Sequence, residues 1–402
     1  VVASQSPMLT VVAYTFPPRV AATAIVMNNL LSSYSGPISA ISGHELNSTY
    51  DSTFVPPCQT EYLTLPKMFP RGYERVRRRW PAVNRSLVQE SIEKALRRLG
   101  AKVVMGVFPY DDFLVATFLA AQNLNLPFYA YIHDLWVETL PPKTSRWRFA
   151  NKWEPIVFNN ADRVICMTEA AQHHYQKKYD LKTDLLPHCN HENDCREMPR
   201  VMSMPKKKNP TVLFVGGINP KFNLDALRVL ARSTEYWPAH YNLILSTSLS
   251  LEKVNALGIT SPKLTIQYVP RSEVVNYQSG VHVLIAPVSH KNCAEEEVRT
   301  IFSTKLLAYM LSGRPIIAFA PQDSYLAESA RKKGWAYVVS EDSPRSLAEA
   351  IVKVVEDSRL ANELVLSAFQ EAQSRDAKRH ALRLQEWVEK DIKKSAKLAN
   401  QI

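Results

Sequence analysis

The chain has 402 residues, and its 49 Lys and Arg against 38 Asp and Glu give a formal charge of +11. A composition of 46% hydrophobic and 22% charged residues excludes a mostly disordered chain, a collagen-like repeat and a disulfide scaffold. The length predicts two or three domains, and the positive field favours anionic partners.

Polar residues interrupt every apolar run well before the ~18–20 positions that a membrane-spanning helix needs, so none is expected. The opening VVASQSPMLT lacks the charged and apolar regions of a secretory signal. Cys58, Cys166, Cys189, Cys195 and Cys293 form no CxxC pair, which fits reduced thiols and a cytoplasmic setting.

In chain order, the short apolar runs 9–16, 102–109, 127–134 and 163–168 read as buried strands, with helical periodicity at 20–33, 84–99 and 112–123. Between them lies RGYERVRRRWPAVNR, with six arginines from Arg71 to Arg85 around Trp80. Its ordinary reading is a solvated helix face. Its functional reading is a docking patch for acidic lipid headgroups or a phosphorylated acceptor. No zinc-knuckle, RNP or basic-zipper pattern accompanies it, so nucleic acid is not an expected partner.

The run MPKKKNP at 204–210 is the best linker candidate. After it the alternation restarts, with strands at 211–217, 241–248, 264–270, 281–288, 314–321 and 336–340. Helices are expected at 223–233, 304–312, 323–333 and 344–357, and one or two more in the tail from 359 to 398. The predicted fold class is α/β: two doubly wound, Rossmann-like domains at 1–203 and 204–385, with a final helical segment at 386–402. Ligands of such sheets bind at the carboxyl ends of the strands, and the cleft between two domains is the expected site.

The strongest constellation is EEEVRTIFSTKLLAYMLSGRPIIAFAP, residues 295–321. Ser303 or Thr304 is placed to cap a helix, Gly313 to end it, and Pro315 to open the next strand. A helix N-terminus suits a phosphate. Lys305 in its first turn opposes the helix dipole, so it is either a solvated lysine or a partner for a bound diphosphate.

FSTKLLAYMLSGRPIIA resembles the nucleotide-sugar-binding region of GT-B glycosyltransferases of the family-4 type. In the expected order, YTFPP (14–18), YIHDLW (131–136), ADRVICMTEA (161–170), LLPHCN (185–190), TVLFVGGINPKFNLDAL (211–227) and YVPRSEVVNY (268–277) resemble the other segments that line such a fold. The resemblance implies a GT-B fold and a retaining, metal-independent transfer of sugar from a nucleotide sugar to an acceptor hydroxyl. The expected acceptor is a glycan or a lipid-linked molecule, reached by peripheral contact with an acidic membrane surface. Bacterial polysaccharide or glycoconjugate assembly is a natural setting.

By the same resemblance, His133 contacts the donor sugar, and Asp134 orients it or holds the loop. The amides of Gly216, Gly217, Ile301, Phe302, Ser303 and Thr304 meet the diphosphate, and Lys305 neutralises the departing phosphate. Tyr268 and Val269 present backbone groups to the base, and Glu296 or Glu297 holds sugar hydroxyls. Two departures stand out. Thr300 and Ala308 occupy the positions of two glutamates usual in the family, and a ribose without such a charged partner loses ~1.5–3 kcal/mol of binding. The basic pair after the first strand of the donor domain is also altered: Gly217 stands at its Arg position, and Lys221 lies one place from its Lys. Glu295 to Glu297 and Arg299 are candidates to compensate. These departures keep open a non-catalytic nucleotide- or glycan-binding scaffold, and a sugar-nucleotide epimerase on the same fold.

Zinc ligation by His188, Cys189, His191 and Cys195 uses suitable residue types, but the spacing matches no standard site. No cofactor or metal is therefore expected. FVGGINPKFN is not GxGxxG, and no P-loop or GxSxG motif occurs.

Overall fold

The computed structural model describes residues 8–43, 50–63, 81–190, 209–270, 273–291 and 295–399. The chain divides into two compact units, Val1–Glu192 with Ala377–Ile402, and Asn193–Asp376. Both divisions lie N-terminal to the expected 203/204 and 385/386. MPKKKNP falls mostly outside the described residues, and the apolar stripe of the last helix already begins at Ala377.

The first unit holds a seven-stranded parallel sheet in the order β3-β2-β1-β4-β5-β6-β7. Its strands are β1 (Leu9–Ala13), β2 (Ile38–Gly43), β3 (Gln59–Leu63), β4 (Val103–Phe108), β5 (Phe128–Ile132), β6 (Arg163–Cys166) and β7 (Asp184–Leu185). Its helices are α1 (Ala22–Leu31), α2 (Pro81–Leu99), α3 (Asp111–Asn123), α4 (Ser145–Asn160) and α5 (Glu169–Tyr179). Leu9, Val11 and Ala13 enter one core layer while Val12 and Tyr14 enter the other. The strand is thus covered on both faces, which is why it reads as an unbroken apolar run.

The second unit repeats the pattern with six parallel strands in the order β10-β9-β8-β11-β12-β13. They are β8 (Thr211–Val215), β9 (Asn242–Ser246), β10 (Leu264–Ile266), β11 (Val283–Pro287), β12 (Ile316–Phe319) and β13 (Tyr337–Val339). The helices are α6 (Leu224–Ser233), α7 (Leu251–Ala256), α8 (Val274–Ser279), α9 (Glu295–Val298), α10 (Lys305–Leu311), α11 (Tyr325–Lys333), α12 (Pro344–Glu356) and α13 (Ser358–Ser374). In each sheet the strand order reverses beside the first strand, which creates a crevice at the carboxyl ends. In the second unit β8 and β11 flank it.

The final helix α14 (Ala377–Ala399) belongs to the first unit. Ala377, Ala381, Leu384 and Val388 form its apolar stripe and share a core layer with β1, β4 and β5. Asp391 fixes its register by accepting from Tyr129 Oη at 2.6 Å and Arg163 Nε at 3.0 Å. None of the described helices is long and apolar enough to cross a membrane.

Candidate active site

In the second unit the site grows out of the end of β8. Gly216 turns the chain with φ +134°, a conformation that strains any residue with a Cβ. A Cβ built there would stand 3.1 Å from Lys305 Nζ. The Gly216 N–H donates to Ser246 O at 2.9 Å. That amide is thus engaged in the sheet rather than free for a diphosphate, as the sequence reading had it. Gly217 is exposed, and a Cβ there would meet nothing within 4 Å. An asparagine pair shapes the turn that follows: Asn223 Nδ2 donates to Gly217 O at 3.1 Å, and Asn223 Oδ1 accepts from the Asn219 N–H at 2.8 Å. Lys221 lies exposed on this turn.

Lys305 opens α10 and is half-buried, with its ammonium 4.3 Å from the centre of the Phe214 ring. Among the described residues no carboxylate pairs with it, and burial lowers its pKa to about 8. Four positions later Tyr309, fully buried, accepts the Val215 N–H at 2.8 Å. Because α10 has only seven residues, its dipole is a small charge source beside the ammonium itself. Thr304 precedes the helix with φ −55° and ψ −32°, and its side chain makes no cap bond. Side-chain capping requires an extended residue at that place, so Thr304 is not the cap.

The preceding segment is largely tied up within the protein. Arg299 donates to Asp323 Oδ2 through Nε at 3.1 Å and Nη2 at 2.9 Å, and pairs with Glu295 at 2.5 Å. It therefore braces α9 against the loop after β12. Thr300 Oγ1 donates to Glu296 O at 2.9 Å. The Ile301 N–H donates to Glu297 O at 3.0 Å, so that amide too is engaged. Phe302 is buried between Tyr325 and Trp335, with the Arg375 guanidinium 4.1 Å from its ring centre. Its ring anchors the loop. Ser303 is half-buried, and its carbonyl accepts the Leu306 N–H at 3.1 Å. Glu296 is exposed and Glu297 buried. Tyr268 is exposed and Val269 buried in the turn after β10. Since β9 separates β10 from β8, this turn lies about 10 Å along the sheet edge from Gly216.

In the first unit His133 and Asp134 follow β5, both half-buried. His133 Nε2 is buried with no partner among the described residues, and its ring stands edge-on to Tyr131 and His188 at centroid distances of 4.5 and 6.3 Å. Burial lowers the His133 pKa to about 3 and raises that of Asp134 to about 6. At neutral pH the pair is therefore a neutral imidazole beside a carboxylate.

The loop that follows is fastened from α4 and α5. The Trp136 N–H donates to Tyr175 Oη at 3.0 Å, and the Val137 N–H to Glu154 Oε2 at 3.2 Å. The fully buried Glu154 also accepts from Tyr179 Oη at 2.6 Å and pairs with Lys178. Lys178 pairs in turn with Glu138 at 2.7 Å. Sequence reasoning missed Glu154, Tyr175, Lys178 and Tyr309, because each acts on a residue placed beside it only by the fold, and it missed Asn223, whose bonds stay within its own turn.

Other expectations fall largely outside the described residues: Arg71 to Arg79, and His191 and Cys195. Arg85 lies on α2, with its guanidinium 5.5 Å from the Trp153 ring centre. Among the described residues Cys58 and Cys166 are free thiols, the Cys189 thiol donates to Pro187 O at 3.1 Å, and no group of three or more His, Cys, Asp or Glu could hold a metal ion.

Two Rossmann-like units, with a last helix that rejoins the first, define the GT-B architecture. Residues 46–187 match the family model Glycosyltransferase Family 4, and residues 209–357 match Glycosyl transferases group 1. Together these cover more than half of the chain, which belongs to the GT-B glycosyltransferases. No curated protein matches it by sequence. Among solved structures, it is similar to sucrose-phosphate synthase from Thermosynechococcus elongatus, with a TM-score of 0.68 and 15% identity over 95% of this chain and 98% of that one. It is similar to Anabaena HepE in complex with UDP and glucose, with a TM-score of 0.69 and 14% identity over 95% and 99%. It is also similar to α,α-trehalose 6-phosphate synthase from Burkholderia multivorans, with a TM-score of 0.68 and 11% identity over 98% and 100%.

Proposed function

We propose that the chain transfers a sugar from a nucleotide-sugar donor to an acceptor hydroxyl, with retention of configuration and without a metal. The observation that carries this reading is Lys305: a half-buried ammonium with no carboxylate partner among the described residues, held against the Gly216 turn at the crevice of the second sheet. A donor diphosphate supplies the missing counter-charge, with the Gly217 amide on the open side of the same turn. As the bond from sugar to phosphate breaks, negative charge grows on the leaving diphosphate. A fixed cation there stabilises the transition state more than the ground state. His133, neutral at pH 7, is suited to hydrogen bonding with a sugar hydroxyl. The turn at Tyr268 and Val269, two strands along the sheet from Gly216, is the candidate contact for the base. The complex of HepE with UDP and glucose supports the donor class. The acceptor is a glycan or lipid-linked hydroxyl compound, and the expected setting is the cytoplasmic face of a membrane.

The test is thermal unfolding with UDP, GDP, ADP and CDP, without added metal. One of them at 100 times its dissociation constant stabilises the protein by ~2.7 kcal/mol, and Lys305→Ala removes the shift. No shift with any of the four at millimolar concentration ends the donor-site reading.

One observation favours a second reading. The Thr300 hydroxyl is bonded to the Glu296 carbonyl and Ala308 has no polar group, so neither position supplies a carboxylate. A scaffold would bind the nucleotide but show no transfer and no hydrolysis of any nucleotide sugar. Donor conversion without acceptor would identify an epimerase.

A further inference from the structure

The β8–β11 ladder has its last paired residue of β8 at Leu213, opposite Leu284. On the other side, the β8–β9 ladder continues through Val215, and the Gly216 N–H still points to β9 through Ser246 O at 2.9 Å. Successive amides of a strand point to opposite sides, so the Val215 N–H faces the side that β11 has left. There, in the crevice where the strand order reverses, no strand carbonyl of the described residues meets it. Its acceptor is the Tyr309 hydroxyl, at 2.8 Å.

Tyr309 is fully buried and lies one helical turn after Lys305, on the same face of α10. The two side chains therefore reach β8 together. Tyr309 meets the backbone of Val215, and Lys305 meets the Phe214 ring and the Gly216 turn.

We propose that Tyr309 is a positioning residue for the anion site: its hydroxyl substitutes for a missing strand carbonyl and so sets the register of α10 that puts the Lys305 ammonium at the Gly216 turn. This deepens the donor-site reading above and rests on it for the ligand. Without the hydroxyl the Val215 N–H has no acceptor, and the link between the strand and a helix of only two turns is broken. The ring of a phenylalanine keeps the packing.

The experiment is a double-mutant cycle with Tyr309→Phe and Lys305→Ala. It is read by titration calorimetry with inorganic pyrophosphate and with whichever of UDP, GDP, ADP or CDP the protein binds. Crystal structures of the ligand-free protein and of Tyr309→Phe accompany it. Tyr309→Phe is expected to weaken diphosphate binding by about tenfold, the equivalent of one hydrogen bond. It should weaken the matching nucleoside monophosphate much less, and add nothing in the Lys305→Ala background. Additive effects, or equal losses for monophosphate and diphosphate, overturn the proposal, since a general loosening of the unit gives that pattern. If the unaltered protein binds no nucleotide, the transferase reading fails. The crystal structures then still decide the role of Tyr309: a Lys305 ammonium that leaves the Phe214 ring in Tyr309→Phe supports it, and one that stays in place overturns it.

Discussion

Lys305 is a cation held where water solvates it poorly. Its pKa of about 8 lies below the ordinary 10.5 because burial disfavours the charged form. Unfolding restores the ordinary value, so between pH 8 and 10.5 the unfolded chain binds more protons and stability rises with pH. Below pH 8 the full penalty of the buried charge is present. Ligand binding runs the other way. A diphosphate needs the ammonium, so its affinity should fall progressively as pH rises through 8. Titration calorimetry across pH 6.5–9.5 checks this, with Lys305→Arg as the comparison. Arginine stays charged throughout, and whatever affinity it retains should lose this pH dependence. At residue scale Lys305 was legible in the sequence, because a lysine that opposes a helix dipole inside a family-like motif is a local signal. The main partner of Arg299 was not legible in this way. Its neighbours Glu295 to Glu297 suggested a polar site, and Asp323, which holds it, is 24 residues away.

At the scale of elements, α4 and α5 owe their hold on the loop after His133 to one buried carboxylate. Glu154 is fully buried and gathers the Val137 N–H, the Tyr179 hydroxyl and Lys178. Removing one partner of a buried pair costs about 3–5 kcal/mol, because the other charge is left unpaired. Here Glu138 retains Lys178, so Glu154→Leu should fall at the low end, about 3 kcal/mol. Urea unfolding measures the loss, and Glu154→Gln should recover part of it by accepting the Val137 amide. Neither helix was predicted. EAAQHHYQKKY buries only Ala171 and Tyr175, too few for an apolar period to show. SRWRFANKWEPIVFNN carries Pro155 inside the helix, which reads as a break. The strand β2, ISAISG, lacks the large β-branched and aromatic runs of its neighbours and stands in the sheet because β1 and β3 pair with it. The ten predicted strands were legible because a parallel sheet covered on both faces leaves continuous apolar runs.

At the scale of the whole molecule, the two units have separate cores, and the chain visits the first of them twice. A chain ending at residue 376 loses the stripe of Ala377, Ala381, Leu384 and Val388, and the Asp391 bonds to Tyr129 and Arg163. It should expose an apolar face beside α1 and bind more of a hydrophobic dye. The first unit should unfold earlier, while nucleotide binding by the second unit persists. Calorimetry with and without the nucleotide separates the two effects.

That return also sets a timetable for synthesis. Roughly 180 residues separate the two parts of the first unit, and at ~5–20 residues per second the ribosome needs ~10–40 s to cross them. During that time the seven-stranded sheet is complete, but the face that α14 will cover is bare. The second unit emerges whole and folds first to completion, so the domain begun first is finished last. The nascent chain therefore presents an adhesive surface to chaperones for as long as the insert takes to translate.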